Sequence, residues 1–142
     1  MKLNPFYVDD IIKTALLEDI NYIDTSADLV IEPEQISESY FQAKADGVLC
    51  GLDIALRVFM LLDPTCSAVC EKQDGDEVHR GEVIARMKGH TVSLLKGERT
   101  ALNLLQHMSG IATATRRAVR LVEGTKASVA DTRKTLPGLR PL

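Results

Sequence analysis

The stretch at residues 131–140 concentrates cationic and hydroxyl side chains in a loop that follows a short apolar run. Its cations are Arg133, Lys134 and Arg140, and its hydroxyl groups belong to Thr132 and Thr135. An arginine presents a planar fork that grips a carboxylate through two parallel hydrogen bonds, and a neighbouring lysine adds a compact charge. Arg133 and Lys134 therefore predict a site for a ligand bearing carboxylate or phosphate, although a solvated charged loop has the same composition.

A second group of polar residues falls in a helical pattern upstream of that loop. Arg99, Asn103 and Gln106 are spaced by four and three residues, which predicts one polar ridge along a helix. Glu98 falls between Leu94 and Leu102 on the predicted apolar face, where a carboxylate needs a cationic or donor partner. A structural salt bridge and a polar network at a subunit boundary both account for this placement.

Other common catalytic and metal-binding patterns are missing from the sequence. His79, His90 and His107 share no ligand spacing, and the sequence contains no GxGxxG fingerprint, no Walker loop and no defensible Ser-His-Asp set. The three cysteines have neither CxxC spacing nor a nearby histidine pair, so we expect small core residues rather than a zinc site. Because these patterns are missing, we expect no metal ligands in this chain.

Composition narrows the possible partners. The 142 residues are 45% hydrophobic and carry a net charge of -3, which favours a folded domain over a general binder of nucleic acid or anionic membrane. The basic residues cluster from Arg116 onward, near the candidate loop. The start lacks the apolar core of a signal peptide and no run is long enough to span a membrane, so we expect a cytoplasmic protein.

Periodicity predicts an α+β opening followed by helices. We expect helices at residues 5–19, 51–62, 94–108 and 111–122, with a break at Ser109-Gly110, and strands at 37–45, 65–71, 83–87 and 127–130. Residues 20–36 show no period and predict a loop or short strand. The final order of helix, strand and charged loop is how a β/α barrel begins, and ligands bind at the carboxyl ends of barrel strands.

Five segments resemble the quinolinate phosphoribosyltransferase family, also called nicotinate-nucleotide pyrophosphorylases (carboxylating). They are ALLED at 15–19, AKADGVLCG at 43–51, GDEVHRGEVIA at 75–85, GERTALNLLQHMSGIAT at 97–113 and DTRKTLPGLR at 131–140. The stretch at 21–25 departs from the family pattern, which more often has a glycine before the aspartate, and we assign nothing there. The resemblance implies an N-terminal α/β sandwich at residues 1–110. Residues 111–142 would then hold the first strand of an open α/β barrel that this chain does not complete.

The resemblance also implies an activity and a set of site residues. The family makes nicotinate mononucleotide, carbon dioxide and pyrophosphate from quinolinate and phosphoribosyl pyrophosphate in de novo NAD synthesis. By motif, Thr132, Arg133 and Lys134 would bind the quinolinate carboxylates, with Lys134 as the catalytic residue. Arg99 would reach the neighbouring subunit's site in a homodimer in which each sandwich faces the partner's barrel.

The resemblance places the remaining catalytic groups, including the ligands of Mg²⁺, beyond residue 142. We therefore expect the chain alone to lack transferase activity. Two alternatives stay open: the molybdenum-locus homologue with the same fold, and a non-catalytic dimerisation or binding module.

Overall fold

A three-stranded antiparallel sheet and the long helix that follows it form the frame of the molecule. The computed structural model describes residues 4–20 and 25–142. In chain order the elements are α1 (Pro5–Ile20), α2 (Thr25–Asp28), β1 (Ile36–Gln42), β2 (Gly47–Val48), α3 (Leu52–Leu62), β3 (Ser67–Cys70), β4 (Glu77–Val78), β5 (Val83–His90) and α4 (Thr91–Val122). The predicted α+β class is confirmed.

The sheet has one face on the core and one face in water. Its order is β1-β5-β3, and Arg86 of β5 lies opposite Tyr40 of β1 and Val69 of β3. Along β5, Ala85 and Met87 are buried whereas Arg86 is exposed, which is the alternation expected of a half-covered antiparallel strand. The inner face packs on the helices and gives the sandwich that the resemblance implied.

Helices α3 and α4 pack closely because a glycine stands at their contact. A Cβ atom on Gly97 would lie 2.8 Å from the Phe59 ring, so only glycine allows this approach. Phe59 in turn contacts Phe41 of β1 with ring centroids 6.0 Å apart. This contact joins both helices to the sheet.

The first helix covers the other side of this core. The amide of Phe6 donates to the Asn4 side chain at 3.1 Å, as predicted from an N-cap followed by proline. Ile12 is fully buried on the face that α1 turns towards α3 and α4. The helix ends at Ile20, one residue beyond the predicted end.

A buried aspartate connects the end of α3 to the start of α4. Asp63 accepts hydrogen bonds from the Thr65 hydroxyl at 2.5 Å and from the His90 amide at 3.0 Å. The Thr65 hydroxyl, and then the His90 amide, hold the pKa of Asp63 well below its ordinary value. The position of α4 therefore depends on a carboxylate that stays ionised.

Three expectations from the sequence are wrong. Helix α4 runs without a break through Ser109-Gly110, so the two predicted helices are one. Residues 127–130 are exposed and form no strand, because an isolated strand has no neighbour for its backbone hydrogen bonds. Part of the predicted loop at 20–36 is the short helix α2, while residues 21–24 lie outside the described part of the chain. The division between residues 110 and 111, and the barrel, stay predictions.

Within the described residues, no helix combines the length and the apolar character needed to cross a bilayer.

Candidate functional site

The C-terminal segment, residues 123–142, folds back over the second half of α4 and encloses a cleft of about 690 Å³. Thr132, Arg133 and Lys134 line this cleft, so the structure brings together three of the four predicted substrate-binding residues. His107 and Ile111 line the opposite wall, which belongs to α4. The predicted anion-binding loop therefore faces a concave space rather than open solvent.

Charge in the cleft is unbalanced. Its lining includes the cationic side chains of Arg133, Lys134 and Arg140 but a single acidic side chain, that of Asp131. Within residues 4–20 and 25–142, neither Arg133 nor Lys134 forms an ion pair. Such a surplus of cations favours an anionic ligand.

Two local turns shape the C-terminal segment. The Lys134 amide donates to the Thr132 hydroxyl at 3.2 Å, which bends the chain where the cations stand. Leu136-Pro137-Gly138-Leu139 then turns back, with the Leu139 amide bonded to the Leu136 carbonyl at 3.2 Å. Gly138 has a φ of 82°, as the third position of a type II turn requires, and proline suits the second position. The sequence itself therefore sets this turn.

Two hydroxyl groups of α4 hold the helix against strand β2 and explain the SGIAT motif. The Ser109 hydroxyl accepts from the Cys50 amide at 3.1 Å, and the Thr113 hydroxyl accepts from the Val48 amide at 2.9 Å. These residues are four positions apart, so both project from one side of the helix. We call Ser109 and Thr113 the hydroxyl pair; it supplies acceptors to the amide of Val48 in β2 and to the amide of Cys50, two residues later.

Sequence reasoning missed the hydroxyl pair because it treated serine and glycine as signs of a helix end. The signal was present in the spacing of Ser109 and Thr113 with a small residue between them. Ion pairs add to this connection: Arg116 and Arg120, about one and two turns beyond Thr113, both contact Glu77 of β4. The second half of α4 is thus held by polar contacts.

Arg99, the fourth predicted site residue, lies away from the cleft of its own chain. It precedes His107 by eight positions, which corresponds to about 12 Å along the helix axis. Its side chain is 72% exposed, and its Nη1 atom lies 2.5 Å from the Asp19 carboxylate. Asn103 and Gln106 are also exposed, so the predicted polar ridge is confirmed.

The expectation for Glu98 is wrong. This residue is exposed, because the buried stripe of α4 runs through Leu94, Gly97 and Ala101 rather than through Leu94 and Leu102. Glycine and threonine residues form part of that stripe. A prediction that considers only large apolar side chains does not include them. Glu98 therefore needs no buried partner.

The cysteines are free thiols and only partly fit the core prediction. Cys50 and Cys66 are half-buried, whereas Cys70 is exposed on edge strand β3. Burial, followed by the charge of Asp74, raises the pKa of the Cys50 thiol. Although Cys50 lines the cleft, its thiol is protonated at neutral pH, and a thiol is a poor nucleophile.

The described residues contain no group of three or more His, Cys, Asp or Glu side chains placed to hold a metal ion.

Comparisons with known proteins agree with the motifs. Residues 22–109 match the family model "Quinolinate phosphoribosyl transferase, N-terminal domain", and residues 111–142 match the corresponding C-terminal domain model. A probable nicotinate-nucleotide pyrophosphorylase (carboxylating) of Bacillus subtilis is 41% identical over 99% of this chain and 48% of its own length. Quinolinate phosphoribosyltransferase (decarboxylating) 2b of Nicotiana tabacum is 35% identical over 96% of this chain and 39% of its own length.

Solved structures show the same fold. NadC from Streptococcus pyogenes superimposes with a TM-score of 0.94 at 39% identity, covering 99% of this chain and 50% of that one. The nicotinate-nucleotide pyrophosphorylase of Francisella tularensis gives a TM-score of 0.90 at 33% identity over the same shares. The chain spans half or less of the length of these relatives. It belongs to the quinolinate phosphoribosyltransferase family.

Proposed function

We propose that this chain supplies part of the active site of a quinolinate phosphoribosyltransferase, a pentosyltransferase of de novo NAD synthesis. The reaction joins quinolinate to the phosphoribosyl group of phosphoribosyl pyrophosphate and gives nicotinate mononucleotide, carbon dioxide and pyrophosphate. The observation that carries the proposal is the cleft in which Thr132, Arg133 and Lys134 lie together without ion-pair partners among the described residues.

The electrostatic demand of the reaction fits this cleft. Quinolinate brings two carboxylates and its co-substrate brings a pyrophosphate, so their mutual repulsion must be offset before the reacting atoms can meet. In the proposal, Arg133 binds one carboxylate through its planar fork and Thr132 donates to the same group. Lys134 adds a compact charge beside them and is the proposed catalytic residue.

The bond changes follow from that arrangement. The pyridine nitrogen attacks the ribose carbon, forming the N–C bond while the C–O bond to pyrophosphate breaks. The ring nitrogen then carries positive charge, so it stabilises the electron pair that stays on the adjacent ring carbon when the carbon–carboxylate bond breaks and carbon dioxide leaves. A proton replaces the lost carboxylate on the ring carbon. Lys134 stabilises the anionic groups throughout.

Arg99 serves a second copy of the chain in this proposal. Its side chain projects from the ridge that it shares with Asn103 and Gln106, and it stands about 12 Å along α4 from the cleft of its own chain. An arginine in that place suits a carboxylate held in the partner's cleft of a homodimer. No residue of this chain is proposed to bind magnesium, since the magnesium ligands are expected outside these residues. We also propose that the protein is cytoplasmic.

Calorimetric titration of the 142-residue chain with quinolinate and nicotinate tests the proposal. We expect weak binding of quinolinate, weaker binding of the monocarboxylate, and a loss of at least tenfold in quinolinate affinity for Arg133→Ala and Lys134→Ala. Lys126→Ala is the matched control, since it removes an exposed cation of the C-terminal segment that does not line the cleft. Equal quinolinate affinity in all these variants would refute the site.

Two further measurements separate the alternatives. We expect no quinolinate-dependent pyrophosphate release from the purified chain, so release would contradict the view that it lacks part of the catalytic set. Analytical ultracentrifugation with and without quinolinate addresses the binding-module alternative, which predicts dimers whose stability is independent of the ligand. The molybdenum-locus alternative predicts no preference for quinolinate.

A further inference from the structure

The outer side of α1 carries large apolar side chains where a surface helix is usually polar. Phe6 is 82% exposed and Leu17 is 74% exposed, whereas Val8, Ile12 and Leu16 lie in the core. At 3.6 residues per turn, Phe6 and Leu17 project within about 20° of each other and roughly 120° to 140° away from Ile12. A helix that is apolar on two sides favours burial of both sides. Within residues 4–20 and 25–142, the chain buries only one of them.

Two exposed charged residues stand between these apolar ends and complete a stripe along α1. Phe6, Asp10, Lys13 and Leu17 follow one another at intervals of four, three and four residues. They project within an arc of about 60° and extend over about 16 Å of the helix. We call these four residues the outer stripe. Their spacing is that of the seam positions in a two-stranded coiled coil, so the outer stripe has the pattern of a helix that packs against another helix.

The two charges of the outer stripe are available for a contact outside the chain. Lys13 acts electrostatically on Asp9, but that carboxylate already accepts two hydrogen bonds from Arg57, at 2.9 and 2.7 Å. Among the described residues, neither Asp10 nor Lys13 forms an ion pair. A carboxylate within the stripe disfavours an anionic membrane as its partner, because Asp10 would face lipid phosphates. A protein surface with charges of both signs fits better.

The symmetry of the outer stripe identifies that protein surface. Its intervals read the same in both directions, and its centre falls between residues 11 and 12. In an antiparallel pair of two copies, Phe6 therefore lies opposite the partner's Leu17, and Asp10 lies opposite the partner's Lys13. A parallel pair would instead place each charge beside its like. The surface is thus complementary to itself, as a two-fold contact between identical chains requires.

We propose that the outer stripe binds a second copy of this chain, with α1 antiparallel to the partner's α1 about a two-fold axis. Phe6 and Leu17 supply the apolar contact, while Asp10 and Lys13 fix direction and register, as polar residues in a coiled-coil seam do at a cost in stability. A strip about 16 Å long and about 10 Å wide is a small part of the roughly 800 Å² that each partner buries in a stable complex. We therefore expect dimers that form and dissociate rapidly.

Exchange of the two charges tests the pairing by sedimentation equilibrium of the 142-residue chain. The native chain should form dimers whose population rises from micromolar to millimolar concentration. Asp10→Lys and Lys13→Asp should each weaken self-association roughly tenfold or more, because like charges then face each other. An equimolar mixture of these two variants should associate at least as well as the native chain, since one variant presents two cations and the other two anions.

Glu18→Lys is the matched control, because it makes the same change of charge at an exposed position of α1 outside the outer stripe. It should leave self-association within about a factor of two of the native value. A native chain that stays monomeric at millimolar concentration would overturn the proposal. So would equal losses in Glu18→Lys and Asp10→Lys, or no recovery in the mixture of the two stripe variants.

Proton NMR at millimolar concentration observes the geometry directly. Phe6 and Leu17 are about 16 Å apart along one helix, so a nuclear Overhauser effect between the Phe6 ring and the Leu17 methyl groups must come from a second copy. We expect this effect in the native chain and its loss in Leu17→Gln, with an unchanged circular dichroism spectrum since the residue is exposed. Effects between two Phe6 rings, as in a parallel pair, or none from Phe6 to Leu17, would refute the antiparallel contact.

The contact through α1 is independent of the proposed function, because the lining of the cleft, as far as the chain is described, includes no residue of α1. Quinolinate should therefore leave the stability of the native dimer unchanged, and Asp10→Lys should bind quinolinate like the native chain. A native dimer whose stability changes with quinolinate would contradict the α1 contact. The binding-module alternative is best tested in the Asp10→Lys chain, in which the α1 contact is removed.

Discussion

The body of the protein and its C-terminal segment are held by different means. In the body, apolar side chains such as Ile12 and Val58 are completely buried between the sheet and the helices. In the C-terminal segment, most residues are exposed, and the chain is shaped by its own turns at Thr132 and Gly138. Thr132, Arg133 and Lys134, three of the four side chains proposed to bind substrate, therefore come from the region with the least core, while the body fixes the helix against which they stand.

Helix α4 repeats this difference along its own length. Its first half is held by a buried stripe that includes Gly97, Ala101 and Leu105. Its second half is held by the hydroxyl pair and by the ion pairs of Arg116 and Arg120 with Glu77. Substitutions in the two halves, and in the C-terminal segment, should consequently differ in size and in sign.

The largest effect is expected at the junction that starts α4. Asp63→Asn should lower the free energy of unfolding by roughly 3 kcal/mol, because it removes the negative charge of the carboxylate that accepts hydrogen bonds from Thr65 and His90. The sign of the pH dependence follows from the lowered pKa of Asp63: its contribution is complete above the unfolded value of 3.8 and is lost as pH falls below it. Urea unfolding from pH 3 to pH 7 measures this, and an Asn variant with an unchanged pH dependence would contradict it.

Two glycines of α4 should respond in opposite directions. Gly97→Ala should lower the free energy of unfolding by about 2 kcal/mol, since its Cβ would lie 2.8 Å from the Phe59 ring. Gly110→Ala should raise it by about 0.8 kcal/mol, since nothing lies within 4 Å of the added atom and alanine favours the helix. Thermal unfolding of both variants is the measurement. A destabilised Gly110→Ala would mean that α4 breaks at Ser109-Gly110 after all.

The hydroxyl pair should matter less than the core but more than any surface threonine. Thr113→Val should lower the free energy of unfolding by about 1.5 kcal/mol, because the Val48 amide loses its acceptor. Thr115→Val, an exposed position two residues on, should stay within about 0.5 kcal/mol. Equal effects for the two threonines in urea unfolding would show that the contact with β2 contributes nothing.

The smallest effect on stability should come from the C-terminal segment. Arg133→Ala should change the free energy of unfolding by less than about 0.5 kcal/mol, because the side chain is exposed and has no ion-pair partner among the described residues. The same variant should lose quinolinate binding, which would separate function from stability. A large loss of stability would show that the C-terminal segment contributes to the folded core of the body.

Much of the frame follows from local pattern. The N-cap at Asn4, the apolar period of α3 and the alternation of β5 each predict their element within a few residues. Local pattern does not predict the structure correctly where a contact between residues far apart in the sequence determines the backbone conformation. Ser109-Gly110 stays helical because Cys50, 59 positions earlier, bonds to the serine, and no single-segment pattern contains that contact.

The site could be predicted in composition but not in geometry. The type and spacing of Arg133 and Lys134 predict an anion-binding site. The family resemblance adds Arg99 to the predicted site residues. The wall formed by His107 and Ile111 depends on how the C-terminal segment folds back on α4. The contact of Asp19 with Arg99 depends on the packing of α1, and the exposure of Glu98 on the rotation of a helix with a small-residue stripe.

Titration of the 142-residue chain with quinolinate, followed by backbone NMR, is the decisive measurement for the proposed site. Chemical-shift changes should concentrate at residues 131–134 and on the facing side of α4 near His107 and Ile111. Lys126→Ala should leave that map unchanged, and Arg133→Ala should abolish it. Changes centred instead on the outer face of the sheet, around Tyr40 and Arg86, or no changes at millimolar quinolinate, would show that the cleft is not the quinolinate site.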